Sequence, residues 1–190
     1  MLNRLVIVAS PRAQGRSAHV ADALVARYAE GADTALTVFS LAEHEVHPCT
    51  GCDACSGSYR CVIDDDMQQL YPLVDAADDI TVVSPVYFAG PPAQLKALLD
   101  RFEPFYWRYV ATDGKRGAKR PLRLYVVGEG GDPNGFEPLV VCTRSAFAVA
   151  GLRLEDVYNG VGLEGSGLDD LAVNPEAYRY TSPSSGWPHA

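Results

Sequence analysis

Short apolar runs that alternate with amphipathic stretches constrain the fold of this chain more than any other feature of its sequence. The run RLVIVA at residues 4–9 is continuous and rich in β-branched residues, which is typical of a strand buried on both faces of a parallel sheet. An amphipathic stretch begins at Ser17, places Val20 and Leu24 on one helical face and meets Gly31, a residue suited to ending a helix. The order of strand, loop and helix then recurs along the chain.

This recurrence predicts five strands that alternate with four helices. The later strands are expected at residues 34–41, 79–85, 122–130 and 152–159. The later helices are expected after the acidic residues 64–66, over residues 93–102 and within residues 136–151. Residues 103–121 lie between the third expected helix and the fourth expected strand. They are rich in aromatic and then in basic residues and glycine, and are expected to be a connecting insertion.

Strict alternation implies a parallel sheet with right-handed crossovers and helices on both faces. We therefore expect an α/β fold, a flavodoxin-like three-layer sandwich whose five-stranded sheet has the order 2-1-3-4-5. In such a sheet a ligand lies beyond the carboxyl ends of the strands, where the first and third strands are neighbours. The loops after the first, third and fourth strands are therefore the candidate binding loops.

The length of 190 residues and the hydrophobic content of 47% suit one domain. We expect this domain to span residues 1–173, with a cysteine-rich loop at 44–64. The remaining residues, 174–190, have turn and linker composition and are expected to form a C-terminal tail that is disordered or packs on a partner.

The net charge of −8 argues against nucleic acid and against an anionic membrane as partners, since both would repel the chain. The apolar run near the N-terminus is too short for the core of a signal peptide, and no later segment approaches a membrane span. These features predict a cytoplasmic protein.

Four of the five cysteines lie within the thirteen residues CTGCDACSGSYRC, at Cys49, Cys52, Cys55 and Cys61. A reducing cytosol disfavours structural disulfides, and an odd number of cysteines cannot pair completely. The spacing C-x2-C-x2-C lets three thiolates converge, and the SGSYR segment lets the fourth return to them. Four thiolates are what a [4Fe-4S] cluster requires.

Other uses of these thiols stay open at this point. They could be free thiols, a regulatory disulfide or a zinc site, for which His44 and His47 are further candidate ligands on a polar loop. The fifth cysteine, Cys142, stands alone on an apolar helical face and is expected to be a small core residue.

The loop ASPRAQGRSAHV follows the first strand, where backbone N–H groups at the start of a helix can bind a phosphate. It offers serine hydroxyls, arginine cations and a glycine that permits close approach. It lacks the glycines and the lysine of a P-loop, so it does not predict a triphosphate site. An ordinary turn with solvent-facing arginines is the alternative. The candidate residues are Ser10, Arg12, Gln14, Gly15, Arg16 and Ser17.

This loop resembles that of the NADPH-dependent FMN reductases, in which a segment of the form S-P-R-x-x-G-x-[ST] binds the FMN phosphate. The segments SPVYFAGPPAQLKALLDR and GEGGD resemble two further flavin loops of that family, and the resemblance extends over residues 4–160. It implies that FMN is the cofactor. By the same resemblance the isoalloxazine ring would be contacted by Pro85, Val86, Tyr87, Phe88 and Ala89 and, at its other edge, by Gly128, Gly130 and Gly131.

The cysteine segment is similar to that of the iron-sulfur flavoproteins, a branch of the same group. Their C-x2-C-x2-C-x(4 to 7)-C motif binds a [4Fe-4S] cluster close to the flavin, often across a subunit interface. The resemblance implies that Cys49, Cys52, Cys55 and Cys61 are the cluster ligands.

The function implied is that of an FMN-dependent oxidoreductase that moves electrons between flavin and cluster without a catalytic side chain. Two alternatives stay open: an NAD(P)H-dependent FMN or quinone reductase without a cluster, and a non-catalytic redox carrier or sensor. NAD(P)H is an expected electron donor, and the other partners are expected to be small-molecule or protein donors and acceptors. The resemblance also implies a homodimer or homotetramer. The segment GVGLEG at 160–165 comes too late in the chain for a nucleotide-binding unit and is interpreted as a turn.

Overall fold

The computed structural model describes residues 1–31, 34–114 and 117–181. Its five strands are all parallel and form one sheet in the order β2-β1-β3-β4-β5. The expected fold class, strand order and switch point between β1 and β3 are thereby confirmed. The strands are β1 (Leu2–Val8), β2 (Thr34–Ser40), β3 (Asp79–Pro85), β4 (Arg120–Gly128) and β5 (Leu152–Val161).

The helices of the described residues pack on both faces of this sheet. They are α1 (Arg16–Ala29), α2 (Cys55–Ser58), α3 (Met67–Ala76), α4 (Ala93–Asp100), α5 (Glu103–Ala111), α6 (Glu137–Val149) and α7 (Ser166–Val173), followed by a 3₁₀-helix at Pro175–Tyr178. Helices α1 and α7 share a core with one face of the sheet, and α3 to α6 share a core with the other. The chain is therefore a three-layer sandwich.

Alternate residues of each strand face the two cores. Leu5 and Ile7 of β1 belong to the core under α3 to α6, whereas Val6 and Val8 belong to the core under α1 and α7. Every residue of β3 is buried. Burial on both faces of the sheet explains why the sequences of these strands are apolar without interruption.

The prediction of four helices was wrong, because the described residues also form α2, α5 and α7. Residues 103–111 of the expected insertion form α5, which Phe105 anchors by packing its ring 4.9 Å from that of Phe102. Pro104 suits the first turn of this helix, where a missing N–H is tolerated. The segment GVGLEG is a turn only in part, since Gly160 and Val161 end β5 and the next four residues lead into α7, whose Leu168 and Leu171 complete the second core.

Part of the expected C-terminal tail has regular structure. The 3₁₀-helix lies within it, and the backbone N–H of Tyr180 donates to the carbonyl of Val157 at 2.8 Å. Residues 182–190 lie outside the described residues, and the domain boundary at 173 stays a prediction. Among the described helices, none combines the length and the apolar character that crossing a bilayer requires.

Candidate functional site

A cleft of about 450 Å³ opens where β1, β3 and β4 end, at the switch point of the sheet. This volume is within the ordinary range for a small-molecule site. The predicted flavin-contacting residues that line it are Ser10, Arg12, Gly15, Arg16, Ser17, Pro85, Val86, Tyr87, Phe88, Ala89, Gly128, Gly130 and Gly131. Gln14 is the one predicted residue that does not line the cleft. The fold therefore brings three distant segments together, and their contacts with FMN stay a prediction.

The first wall of the cleft is the turn between β1 and α1. Ser10 and Ser17 are both buried, and the Ser10 hydroxyl accepts a hydrogen bond from the backbone N–H of Arg12 at 3.1 Å. Gly15 has extended backbone, which any residue can adopt, and a Cβ there would meet only the Cβ of Arg12, at 3.7 Å. The protein itself does not require a glycine at this position. The space is instead available to a ligand.

The N-terminus of α1 faces the same wall and is suited to an anion. No side chain of the described residues caps it, and its first turn has no acidic residue. Unpaired N–H groups and the helix dipole favour a phosphate at such a position. The guanidinium of Arg16 lies 3.4 Å from the exposed Glu129 and 2.6 Å from the exposed Glu164, and its predicted contact with FMN stays a prediction. Within the described parts of the chain Arg12 forms no ion pair, so it is the cation available to a ligand.

The second wall is a two-residue turn in which the backbone N–H and carbonyl groups of Tyr87 and Gly90 bond to each other, at 3.1 and 3.0 Å. The central residues Phe88 and Ala89 have φ angles of 49° and 64°, a left-handed conformation that side chains other than glycine disfavour. Ala89 is buried and its carbonyl accepts from the N–H of Leu139 at 3.2 Å. The phenyl ring of Phe88 is fully exposed at the rim of the cleft.

The third wall is the glycine-rich segment after β4. Gly130 and Gly131 have φ angles of 92° and 86°, so these two positions favour glycine for the backbone alone. The wall also includes residues that the sequence did not single out: Val127, Glu129, Asp132, Gly135, Phe136 and Val161. Glu129 and Asp132 are adjacent in sequence to the predicted glycines. This adjacency was the sequence feature from which their place in the cleft could have been predicted.

Gly128 separates this wall from Val86 and is the basis of a first prediction. A Cβ on Gly128 would lie 2.8 Å from Cγ1 of Val86, and a β-branched side chain has few rotamers with which to avoid it. We expect Gly128→Ala to weaken FMN binding about tenfold, the effect of about 1.4 kcal/mol of overpacking. Titration of the flavin fluorescence measures this change. Adding Val86→Ala should restore binding, and a double variant as weak as Gly128→Ala would contradict the steric explanation.

A second cavity, of about 360 Å³, is lined by Cys49, Cys52, Cys55 and Cys61. All four are free thiols, and the backbone N–H of Gly51 donates to the sulfur of Cys49 at 3.4 Å. The other side of the cavity is closed by Arg101, at the C-terminus of α4, and by Glu103 and Trp107 of α5.

Burial raises the pKa of the Cys55 thiol, and the nearby Cys61, Glu103 and Cys49 raise it further. A thiolate at this position therefore needs a compensating cation. Bound iron or another metal ion would supply it, because a metal deprotonates a coordinating thiol.

The cysteine cavity is not arranged as a site for a single metal ion. No three histidine, cysteine, aspartate or glutamate side chains of the described residues are grouped to hold one. In a four-iron cluster each thiolate binds a different iron, so four cysteines around a cavity fit the cluster better than they fit zinc. His44 and His47 do not line this cavity. A ring nitrogen of His44 instead lies 2.9 Å from the carbonyl of Ser40.

An ion pair that the sequence analysis missed lies beneath the cysteine loop. The guanidinium of Arg101 is fully buried and binds the carboxylate of Asp65 through two hydrogen bonds, of 2.7 and 3.1 Å. Burial tends to raise the pKa of Asp65, but hydrogen bonds from Arg101 and from the backbone N–H of His47 outweigh it and lower that pKa. Arg101 caps the C-terminus of α4, three positions after the buried Leu98, and a charge in line with that buried face was the available signal.

Known proteins share parts of this sequence and its fold. An iron-sulfur flavoprotein of Methanosarcina thermophila is 43% identical over 99 residues, which are 52% of this chain and 48% of that protein. An iron-sulfur flavoprotein of Archaeoglobus fulgidus is 35% identical over 140 residues, 71% of this chain and 65% of that protein. The chain thus spans about half the length of the first of these relatives and less than two thirds of the second.

Among solved structures, the NAD(P)H:quinone oxidoreductase of Methanothermobacter marburgensis superposes with a TM-score of 0.62 at 16% identity. The match covers 90% of this chain and 92% of that one, and it shows a shared fold. The sequence profile of the NADPH-dependent FMN reductases matches residues 2–151, which include the whole cysteine loop and every residue that lines the cleft except Val161. The chain therefore belongs to the NADPH-dependent FMN reductase family.

Proposed function

We propose that this chain is a flavin-dependent oxidoreductase that binds FMN in the cleft and exchanges electrons with a [4Fe-4S] cluster held by Cys49, Cys52, Cys55 and Cys61. The observation that carries the proposal is that all four cysteines line one cavity, on a chain whose family binds FMN at the switch point. The names of the iron-sulfur flavoprotein relatives support the same conclusion.

In this proposal the first wall binds the phosphate of FMN. The buried hydroxyl of Ser17, the guanidinium of Arg12 and the N–H groups of the first turn of α1 are its donors. Arg16 acts indirectly, because its ion pairs with Glu129 and Glu164 tie α1 to the segments after β4 and β5. The phosphate site is thereby held against the glycine wall.

The second and third walls position the isoalloxazine ring. FMN, when bound, accepts two electrons and can release them one at a time. Backbone N–H groups near Gly130 and Gly131 can approach the edge of the ring where reduction places negative charge, since no side chains intervene. Tyr87 and Phe88 shield the ring from the rim. No side chain is assigned an acid or base role.

The alternative is an NAD(P)H-dependent FMN or quinone reductase whose cysteines remain thiols. The match to the NADPH-dependent FMN reductases is the observation that favours this alternative. A non-catalytic redox carrier is distinguished from both by negligible turnover of NADH or NADPH with quinones or free flavin.

The decisive experiment is anaerobic purification with iron, sulfide and flavin analysis. We expect about four iron atoms per chain in the wild-type protein and loss of most of them in Cys55→Ser, because a four-iron cluster requires all four thiolates. Loss of the broad absorbance beside the flavin bands reports the same change. Cys142→Ser is the matched control, since Cys142 does not line the cavity, and it should retain iron. Full flavin without iron in the wild-type chain would favour the cluster-free reductase.

The assembly and the partners remain part of the proposal. Exposed aromatic side chains at Tyr87, Phe88, Tyr106 and Tyr109 support a homodimer or homotetramer, because such residues favour protein interfaces. NAD(P)H is the proposed donor, and the proposed location is the cytoplasm.

A further inference from the structure

The buried ion pair of Arg101 and Asp65 closes the base of the cysteine loop. One Nη of Arg101 donates to the carbonyl of His47 at 2.9 Å, and the other donates to the carbonyl of Ile63 at 3.4 Å. His47 precedes Cys49 by two residues, and Ile63 follows Cys61 by two. A single guanidinium therefore joins both ends of the segment that carries the four thiols.

Further hydrogen bonds fix this guanidinium and its partner. The carboxylate of Asp65 accepts from the backbone N–H groups of His47 at 2.8 Å and of Met67 at 3.1 Å. The hydroxyl of Tyr71 donates to the carbonyl of Arg101 at 2.8 Å. A buried ion pair contributes little net stability relative to apolar residues of the same volume, so this one calls for another role.

One donor of Arg101 is left over. Its Nε is buried and has no hydrogen-bond partner among the described residues. The Nε atoms of Arg4 and Arg108 are also unpartnered, but those side chains are 18% and 36% exposed, whereas that of Arg101 is 0% exposed. A fully enclosed N–H without an acceptor destabilises the folded chain, and an acceptor on a ligand in the adjoining cavity would offset that cost.

The charges around the cavity point to the same donor. Arg101 is the only cationic side chain among the described residues that line it, whereas Asp53, Asp100 and Glu103 are acidic. Four thiolates with iron and sulfide add further negative charge. An anionic group in this cavity therefore has one arginine among its lining residues to pair with.

We propose that Arg101 is a positioning residue of the cysteine site, which holds both ends of the loop and donates its Nε–H to the sulfur atoms of the bound iron-sulfur cluster. The identity of the ligand rests on the proposed function, whereas the closure of the loop does not. A hydrogen bond to cluster sulfur stabilises the reduced, more negative state and so raises the reduction potential.

The experiment compares Arg101→Lys with Arg108→Lys in the full FMN-loaded chain, before and after anaerobic loading with ferrous iron and sulfide. Arg108 is the matched control, because it makes a similar two-bond pair with Asp75 at 2.9 and 3.2 Å but does not line the cavity. Retained FMN binding shows that each variant is folded, since no residue lines both cavities.

Before loading, we expect the amides of residues 47–63 to exchange hydrogen about tenfold faster in Arg101→Lys than in the wild type, through easier local opening. Unchanged exchange would overturn the closure of the loop. The exchange measurement needs no iron, so it tests the closure of the loop even if the wild-type chain binds no iron. Failure of the wild-type chain to bind iron would instead overturn the cluster function.

After loading, we expect Arg101→Lys to lose iron to a chelator about tenfold faster and to have a more negative cluster potential, while Arg108→Lys matches the wild type. A second measurement requires no variant. In wild-type protein labelled with ¹⁵N-arginine, pulsed EPR of the reduced cluster should detect a coupled ¹⁵N nucleus. A potential that Arg101→Lys leaves unchanged, or a wild-type cluster without ¹⁵N coupling, would overturn the Nε–H assignment.

Discussion

The double variant Arg12→Ala/Ser17→Ala should bind FMN about 100-fold more weakly than the wild-type chain, the loss expected of two charge-assisted hydrogen bonds at about 1.5 kcal/mol each. Arg12 is the cation of the first wall that has no carboxylate partner among the described residues, and Ser17 lies in the first turn of α1 with its side chain buried at the cleft. Removing both leaves the helix N-terminus as the main phosphate donor. Equilibrium titration with FMN, monitored by flavin fluorescence, gives the change in affinity.

Riboflavin provides the control for this prediction, because it has the same ring system and no phosphate. The double variant and the wild type should bind riboflavin with similar affinity. Arg16→Ala should weaken FMN binding less than Arg12→Ala, since Glu129 and Glu164 already neutralise Arg16. If the double variant bound FMN as tightly as the wild type, the first wall would not be the phosphate site.

Asp65→Asn should reduce the free energy of unfolding by about 3 kcal/mol, because it leaves the buried charge of Arg101 without its counter-charge. The carboxylate of Asp65 is 2% exposed and that guanidinium is 0% exposed, so water cannot compensate. Urea unfolding of the FMN-loaded chain at neutral pH measures the loss. Asp75→Asn breaks the exposed pair with Arg108 and should cost no more than about 1 kcal/mol. Equal losses in the two variants would contradict the prediction.

The same pair predicts how stability depends on pH. The pKa of Asp65 is lower in the folded chain than its ordinary value of about 4, so the folded state favours the ionised carboxylate. The stabilisation that the ionised Asp65 contributes is fully present at pH values above its ordinary pKa of about 4. This stabilisation is lost as the pH falls through the lower pKa of the folded state. The difference in unfolding free energy between wild type and Asp65→Asn should therefore shrink below about pH 4. A difference that stays constant to lower pH would argue against an ionised Asp65.

The sheet and the cleft could be predicted because their signals are local. An apolar run such as residues 4–9 identifies a buried strand by itself, strict alternation then predicts a parallel sheet, and five strands suit the order 2-1-3-4-5. The candidate binding loops follow from the switch-point rule, so nearly all of the predicted cleft residues lie together without any knowledge of their contacts. Helix α5 was missed because its aromatic residues resembled an insertion, although Phe105 is completely buried.

What the sequence could not supply are pairings between distant residues. Arg16 meets Glu129 and Glu164 across 113 and 148 positions, and these contacts link loops that are far apart in the sequence. Arg101 and Asp65 are 36 positions apart, and no local sequence pattern pairs one with the other. Such contacts are determined by the packing of helices on the completed sheet, not by local periodicity.

The left-handed turn at Phe88 and Ala89 has a consequence for how the cleft opening can change. Glycine at either position would relieve backbone strain of about 1 kcal/mol. The strained turn is also the place where the large aromatic ring of Phe88 faces solvent. Substitutions of Phe88 can therefore alter which molecules reach the bound cofactor while leaving the folded scaffold intact or even more stable. The shape of this entrance is therefore separable from folding, which makes the turn a suitable starting point for changing what enters the cleft.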